Sequence, residues 1–477
     1  MKKYRLLITA ALCLSSFMCF AKVELPDVIS DNMVVQRNAD VKLWGKAAPG
    51  GTVTVRPSWN GKKYSGKVSQ QGEWQIVVPT PDAGGPYSIT FDDGEKLTVN
   101  NVLSGEVWFC SGQSNMEMPM KGFVGQPVEN SADYILSAKP ETPIRMCNVK
   151  REFSFIEKEN CQCKWDLHTP EAVMNTSATA YFFALRLWET LGVPIGIIHS
   201  SWGGTPIQAW MDKELIESEF PGEFDLSAYQ TGNKDKAQNV AGTLYNSMLH
   251  PLVNYTIKGV IWYQGCANRA KPEQYKRLHP AFVKMLREKW DNPRMPFYFT
   301  QIAPHNYGGP DKREAGYMMW AQAQTLEMIP FSGMATTHDI GEAAVIHPRK
   351  KKEVGDRLAF LALADNYGCK FLDARAPVPT AFKFENGKAT ISFRIGAMGL
   401  NPLNTQLDSF ELAGEDRVFY PAKAKVSGNR KEVEVSAPEV PVPVAVRYGI
   451  RNVSKASLFN SAGIPASPFR SDDWPRE

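Results

Sequence analysis

The chain has 477 residues, of which 43% are hydrophobic, 22% charged and 11% aromatic. This composition excludes a globally disordered or low-complexity protein and suffices for two or three domains with separate cores. The formal charge of +4 falls to +1 without the three basic residues among the first five, so charge gives no reason to expect a nucleic acid or an acidic membrane as partner.

Residues 1–21 have the pattern of a signal peptide. Basic residues precede the apolar run 6–20, and Cys19 and Ala21 are the small residues before a cleavage site at Lys22. A run of about 15 apolar residues is short for a membrane anchor. We therefore expect an exported protein, periplasmic or secreted, with no membrane attachment after cleavage.

Residues 22–103 have the pattern of an N-terminal β-sandwich domain. Apolar and polar residues alternate at 53–55, 74–78 and 87–91, and Gly-Gly, Asn-Gly and Asp-Gly pairs separate these runs as turns. A period of two with tight connections is typical of a small sandwich.

Residues 104–370 alternate short apolar runs with helical patterns. Strands are predicted at 107–110, 195–199, 259–263, 297–302 and 334–339, and helices at 181–191, 281–290 and 353–364. This alternation favours an α/β domain with a parallel sheet and helices on both faces. Ligands bind beyond the carboxyl ends of the strands in such folds.

Residues 371–477 return to a β-like pattern and are predicted to form a C-terminal β-rich region. The candidate strands are 390–393, 432–435 and 442–448.

The cysteines are too few for a disulfide scaffold, since six remain after the predicted cleavage. Cys161 and Cys163 have no histidine or second cysteine pair at the spacing of a zinc finger, so no structural metal is predicted. One or two disulfides are possible and their pairing is open. The six are Cys110, Cys147, Cys161, Cys163, Cys266 and Cys369.

Four polar motifs each follow a predicted strand. Ser114 lies in Ser-Gly-Gln-Ser-Asn, where a tight turn can present its hydroxyl and backbone N–H to one carbonyl, and Met116 excludes a Gly-x-Ser-x-Gly elbow. The glycine pair ending at Gly204 lets a backbone N–H approach a ligand closely. Asn268, after Trp-Tyr-Gln-Gly, can donate to an oxyanion. His347, in Ile-His-Pro, is the usual type of base for a serine nucleophile.

The four motifs, in this order, resemble the blocks of the SGNH hydrolases and, within them, of the sialate O-acetylesterase-like carbohydrate esterases. The resemblance covers nearly the whole chain after residue 21, from Leu25-Pro-Asp-Val-Ile-Ser-Asp-Asn-Met to Gly463-Ile-Pro-Ala-Ser-Pro-Phe-Arg. It implies an α/β fold with a flavodoxin-like, three-layer parallel-sheet catalytic domain between the two β-rich regions.

The resemblance also implies the roles of the site residues. Ser114 attacks an acetyl ester of a carbohydrate, as in a sialate 9-O-acetylesterase, and His347 removes its proton and later activates water. The N–H groups of Ser114 and Gly204, with the Asn268 amide, form the oxyanion hole. No metal or organic cofactor is needed, and the expected partner is an acetylated glycan or sugar.

The chain departs from the family at positions near the proposed base. Cys266 stands where a glutamate is frequent, and Val345 stands where many members carry an aspartate two residues before the histidine. Asp339, at the end of a predicted strand, is the best remaining candidate to orient His347. The alternatives are Glu342 and a Ser–His dyad without an acid.

A third departure concerns the substrate. Ala321-Gln-Ala-Gln replaces a common Arg-Glu-Ala-Gln stretch and removes an arginine that could meet an acidic sugar.

Two other functions compete with a carbohydrate esterase. The lost carboxylates favour a catalytically impaired relative that only binds carbohydrate in the same cleft. A lipase or thioesterase would need an apolar acyl tunnel, for which the sequence gives no sign.

Overall fold

The computed structural model describes residues 22–476, so the predicted signal peptide at 1–21 lies outside the described residues. Over this range no helix has the length and apolar character needed to cross a membrane. The chain is a mixed α/β protein with one large central sheet and additional β-sheets.

The first region consists of strands whose residues alternate between core and surface. In 73–79 every second residue is buried, as the period of two predicts. The seven strands are β1 Val34–Gln36, β2 Asp40–Lys46, β3 Thr52–Pro57, β4 Tyr64–Lys67, β5 Glu73–Pro79, β6 Gly84–Asp92 and β7 Lys96–Gly112.

The central region alternates strands with helices and confirms the five strands and three helices predicted there. The strands after β7 are β8 Ile144–Asn148, β9 Trp165–Asp166, β10 Ile195–Ser201, β11 Gly259–Tyr263, β12 Phe297–Thr300 and β13 Ser332–Ala335. The helices are α1 Ser114–Glu117, α2 Ser131–Leu136, α3 Pro170–Asn175, α4 Ala178–Leu191, α5 Lys213–Glu219, α6 Ala228–Thr231, α7 Pro272–Lys289, α8 Glu314–Met328 and α9 Lys351–Asn366.

The central sheet has the order β9-β8-β10-β7-β11-β12-β13, and only β9 is antiparallel to its neighbour. The five strands predicted from the sequence lie side by side as β10-β7-β11-β12-β13, which is the flavodoxin-like order 2-1-3-4-5, and β8 and β9 extend the sheet beyond β10. The two faces have separate cores. Phe109 and Val260 pack with α7 and α8, whereas Trp108 and Ile261 pack with α4 and α9.

Strand β7 belongs to both the first and the central region. Residues 96–104 pair with β6, and residues 106–112 lie between β10 and β11. A single strand therefore crosses the predicted domain limit after residue 103 and ends at the motif that contains Ser114.

The third region has its own core and confirms the three strands predicted there. It forms two four-stranded antiparallel sheets, β14-β15-β20-β19 and β18-β17-β21-β23, and the pair β16-β22. The strands are β14 Val378–Glu385, β15 Lys388–Arg394, β16 Leu400–Asn401, β17 Phe410–Ala413, β18 Phe419–Pro421, β19 Lys423–Val426, β20 Glu432–Ser436, β21 Ala445–Tyr448, β22 Phe459–Asn460 and β23 Phe469–Arg470.

Candidate active site

The ends of β7 and β11 hold Ser114 against the Trp-Tyr-Gln-Gly turn. At Gly112, where φ is +146°, an added Cβ would lie 2.2 Å from the Tyr263 carbonyl oxygen, so only glycine permits this approach. Gln113 N–H donates to the Tyr263 oxygen at 3.0 Å, and its side-chain Oε1 accepts from Gly265 N–H at 3.0 Å. Ser114 follows directly, as the first residue of α1.

The loop after β10, which contains Gly203 and Gly204, lies beside Ser114. A Cβ built on Gly203 would lie 3.2 Å from the Ser114 Cβ, and Gly203 N–H donates to Glu117 Oε2 at 2.6 Å. Gly204 is exposed and has a φ of +78°. Within residues 22–476, neither the Gly204 N–H nor the Ser114 hydroxyl has a hydrogen-bond partner. Both groups are therefore available to a substrate.

Glu117 and Arg151 flank this loop, and no motif in the sequence marks either residue. Burial raises the pKa of Glu117, whereas the Arg151 charge, 3.1 Å from its carboxylate, and the Gly203 N–H oppose the shift. The Arg151 guanidinium also lies over the Trp202 ring, 5.7 Å from its centroid. The loop after β8 thus supplies a cation at the edge of the cleft.

Asn115 joins the serine turn to the histidine loop. Its Nδ2 donates to the Ile346 carbonyl oxygen at 3.1 Å, and its Oδ1 accepts from Lys351 Nζ. Asn115 follows Ser114 in the sequence and Ile346 precedes His347. The hydrogen bond therefore joins the turn of Ser114 to the loop of His347, 233 positions apart in the chain.

Gln126 orients the ring of His347. The His347 Nδ1 lies 2.5 Å from Gln126 Oε1, and Phe123 packs edge-on against the imidazole at a centroid distance of 5.2 Å. Since an amide oxygen only accepts, this contact assigns the proton to Nδ1 and leaves Nε2 as the base. Two backbone hydrogen bonds between Phe123 and Gln126 close the turn that presents the amide.

Gln126 was not found from the sequence because it is not an acid and lies 221 positions from His347. The sequence signal was the glycine pair Gly122 and Gly125, which marks a tight turn around Phe123 and Val124.

The structure corrects the expectation that Asp339 orients His347. Strand β13 ends four residues before Asp339, which lies in the following loop. Both Asp339 carboxylate oxygens accept from the Arg357 guanidinium, at 2.7 and 2.6 Å, because α9 places this arginine beside the loop. The alternative acid, Glu342, accepts from a backbone N–H of its own loop. Over residues 22–476, no carboxylate hydrogen-bonds to His347.

Asn268 lies in the turn Cys266–Asn268, inside a network of polar side chains. Its Oδ1 accepts from Ile207 N–H at 3.0 Å and from Gln264 Nε2 at 2.8 Å, and its Nδ2 donates to Gln208 Oε1 at 3.1 Å. The amide is therefore rigidly held. One Nδ2 hydrogen is used by Gln208, and the second is the one an oxyanion would need.

Burial controls the protonation of the site. It lowers the pKa of Lys351 to about 7, and burial together with the Lys351 charge lowers the pKa of His347 to about 4. His347 is therefore a neutral imidazole at neutral pH, which is the form that accepts a proton. Burial raises the pKa of Cys266, so a neutral thiol stands where the family often has a glutamate.

In the described part of the chain, no group of three or more His, Cys, Asp or Glu side chains is arranged to hold a metal ion.

Comparisons with known proteins point to one family. The family described as carbohydrate esterase, sialic acid-specific acetylesterase, matches residues 104–363. Human sialate O-acetylesterase is 30% identical to this chain over 389 residues, which cover 74% of this chain and 72% of that protein. Mouse sialate O-acetylesterase is 26% identical over 431 residues, which cover 76% of this chain and 78% of that protein. The crystal structure of a novel carbohydrate acetylesterase from Xanthomonas citri superposes with a TM-score of 0.86 and 32% identity, over 95% of this chain and all of that one.

Proposed function

Because the chain belongs to the sialic acid-specific acetylesterase family of carbohydrate esterases and is a carboxylic ester hydrolase, we propose that it removes O-acetyl groups from carbohydrate through Ser114 and His347. The observation that carries the proposal is the hydrogen bond from Asn115 to the Ile346 carbonyl oxygen, which fixes the serine and histidine turns together. The acetylesterase from Xanthomonas citri supports a carbohydrate ester as the substrate.

The reaction proceeds through an acetyl-enzyme. His347 Nε2 removes the proton of Ser114 as its Oγ attacks the acetyl carbonyl carbon. The N–H groups of Ser114 and Gly204 and the free Nδ2 hydrogen of Asn268 donate to the oxyanion. His347 then protonates the departing sugar oxygen and, in the second half, removes a proton from the water that hydrolyses the acetyl-enzyme.

Gln126 takes the position of the acid in this mechanism. Its oxygen holds the His347 tautomer with Nε2 unprotonated, as an acid would. A neutral amide adds no charge to stabilise the imidazolium that forms in the transition state, so turnover is slower than with a carboxylate at the same place.

The three-layer SGNH arrangement is likewise our proposal for residues 104–370, between β-rich regions at 22–103 and 371–477. The separate cores on the two faces of the central sheet support three layers. The order β10-β7-β11-β12-β13 also supports it, with β8 and β9 as additions at one edge of the sheet.

We also propose that residues 1–21 are a signal peptide and that the protein is periplasmic or secreted. Amino-terminal sequencing of the protein recovered outside the cytoplasm should begin at Lys22. A full-length protein that retains Met1 and stays in the cytoplasmic fraction would contradict export.

Acetate release from a panel of acetylated sialylated, xylan and pectic glycans tests the proposed activity. We expect release from at least one glycan with the wild-type protein and none with Ser114→Ala. The second candidate, a carbohydrate-binding relative, is favoured by the neutral amide of Gln126 at His347 and by the neutral thiol of Cys266. It would be supported if the wild type bound a glycan but hydrolysed neither that glycan nor a chromogenic acetyl ester.

A further inference from the structure

Three cysteines lie together at the edge strand of the central sheet. Cys147 on β8 is opposite Trp165 of β9, and Cys161 and Cys163 are on the segment that leads into β9. The side chains of Cys147 and Cys161 both lie close enough to that of Cys163 to interact with it electrostatically. Cys147 and Cys161 are buried, whereas Cys163 is half-buried, so Cys163 is the member that solvent reaches.

The segment that carries Cys161 and Cys163 is fixed on two sides. Lys150 N–H donates to the Gln162 carbonyl oxygen at 2.9 Å, which keeps the segment alongside the continuation of β8. On the other side, Asp27 accepts from Asn160 Nδ2 at 2.9 Å and from Cys163 N–H at 3.4 Å. The fold therefore holds the segment of Cys161 and Cys163 alongside Cys147 of β8.

The environment separates the three thiols by acidity. The neighbouring side chains of Cys147 and Cys161 lower the pKa of Cys163, against the opposing effects of burial and of Asp27. Burial raises the pKa of Cys147, and the interaction with Cys163 raises that of Cys161. Cys163 is thus the most acidic of the three and the one that most readily forms a thiolate, whereas its two neighbours are held as thiols.

We propose that Cys147, Cys161 and Cys163 form a disulfide-exchange site in which Cys163 reacts with a small-molecule disulfide and one of its two neighbours then displaces the small thiol. In the first step the Cys163 thiolate attacks one sulfur of the disulfide, forms a mixed disulfide and releases a thiolate. In the second step a neighbouring cysteine loses its proton to water, attacks the Cys163 sulfur and releases the second thiolate. Two protein thiols are oxidised, and the small disulfide is reduced to two thiols.

Disulfide mapping with oxidised glutathione tests the site. The reduced protein, freed of reductant, is treated with oxidised glutathione, its remaining thiols are alkylated, and its peptides are mapped by mass spectrometry. We expect a disulfide from Cys163 to Cys147 or to Cys161. Cys147→Ser and Cys161→Ser should each still pair Cys163 with the remaining neighbour, and Cys163→Ser should form no disulfide in the cluster.

Cys369→Ser is the matched control, because Cys369 is also half-buried but lies outside the cluster, and it should map like the wild type. A free Cys163, a glutathione adduct on Cys163 that never resolves, or a cluster disulfide in Cys163→Ser would overturn the proposal.

Alkylation rates provide a test that requires no substitution. With iodoacetamide at pH 6, Cys163 should react about tenfold faster or more than Cys147 and Cys161, since the thiolate is the nucleophile. Equal rates for the three cysteines in the folded protein would also overturn it.

Discussion

Gln126→Glu places a carboxylate on the imidazole of His347 and should raise both its pKa and the turnover rate. The His347 Nδ1 lies 2.5 Å from Gln126 Oε1, so the new charge would be in hydrogen-bond contact. An opposite charge at this range raises the pKa of a histidine by about 1–3 units, and each unit corresponds to about 1.4 kcal/mol. The same charge stabilises the imidazolium of the transition state, so kcat should increase about tenfold or more.

The pH dependence of kcat/KM is the readout, with a chromogenic acetyl ester as substrate. Only neutral His347 accepts a proton, so activity is present above its pKa and is lost as the pH falls through it. In the wild type this acidic limb should lie near pH 4, the pKa that burial imposes on His347. In Gln126→Glu the limb should move up by about 1–3 pH units.

Two further variants isolate the contact. Gln126→Ala removes a neutral hydrogen bond worth about 1 kcal/mol and should lower kcat about fivefold. Val124→Ala changes a fully exposed side chain on the same turn and should leave the kinetics unchanged. The reasoning is refuted if the acidic limb of Gln126→Glu stays at the wild-type position, or if Gln126→Ala is as active as the wild type.

Three other substitutions give separate tests. Lys351→Met removes a buried ammonium whose pKa falls from 10.5 to about 7 on folding, so the variant should melt at a higher temperature than the wild type. This difference should be largest below pH 7, where the buried lysine is charged, and should shrink toward pH 10. A difference that stays constant with pH would contradict a free-energy cost of burying the charge. Asp339→Asn should lower the melting temperature, because it weakens the ion pair with Arg357, but should change kcat less than about tenfold. A loss of kcat near about 10⁴ would instead indicate that Asp339 orients His347. Asn268→Asp keeps the oxygen that accepts from Ile207 N–H and removes the amide donor. The value of kcat should therefore fall by about 10² to 10³ with KM little changed. A change mainly in KM would indicate that Asn268 binds the substrate and does not stabilise the oxyanion.

The strands of the central sheet were predictable because both of their faces are buried. Such strands have continuous apolar runs, as in β11, where all five residues are buried. The polar motifs at their ends were predictable for the same reason, since each apolar run stops where the strand reaches the sheet edge. Ser114, Gly204 and Asn268 all follow strands in this way.

The length of β7 was not predictable from the same signal. Its first part alternates between exposed and buried residues, and its second part is buried throughout. The pattern changes at about residue 103 because the environment changes from one buried face to two, and not because the strand ends. The change of pattern at residue 103 therefore lies within one continuous strand.

The partner of His347 could not be predicted from spacing along the chain. Asp339 is near His347 in sequence, but the arginine that α9 brings to it at Arg357 takes both of its oxygens. Gln126 is distant in sequence, and only the folded turn that contains Phe123 brings its amide to the imidazole. Contacts between loops from different strands depend on tertiary packing, which local sequence patterns do not record.

Trapping the acetyl-enzyme tests the central claim most directly. The wild-type protein is mixed with a chromogenic acetyl ester, quenched in acid within the first turnovers and mapped by mass spectrometry. It should carry one acetyl group on Ser114. Ser114→Ala should carry none, and its rate of ester hydrolysis should be lower by at least about 10³-fold. An acetyl group on another residue, or ester hydrolysis retained by a folded Ser114→Ala, would contradict the account.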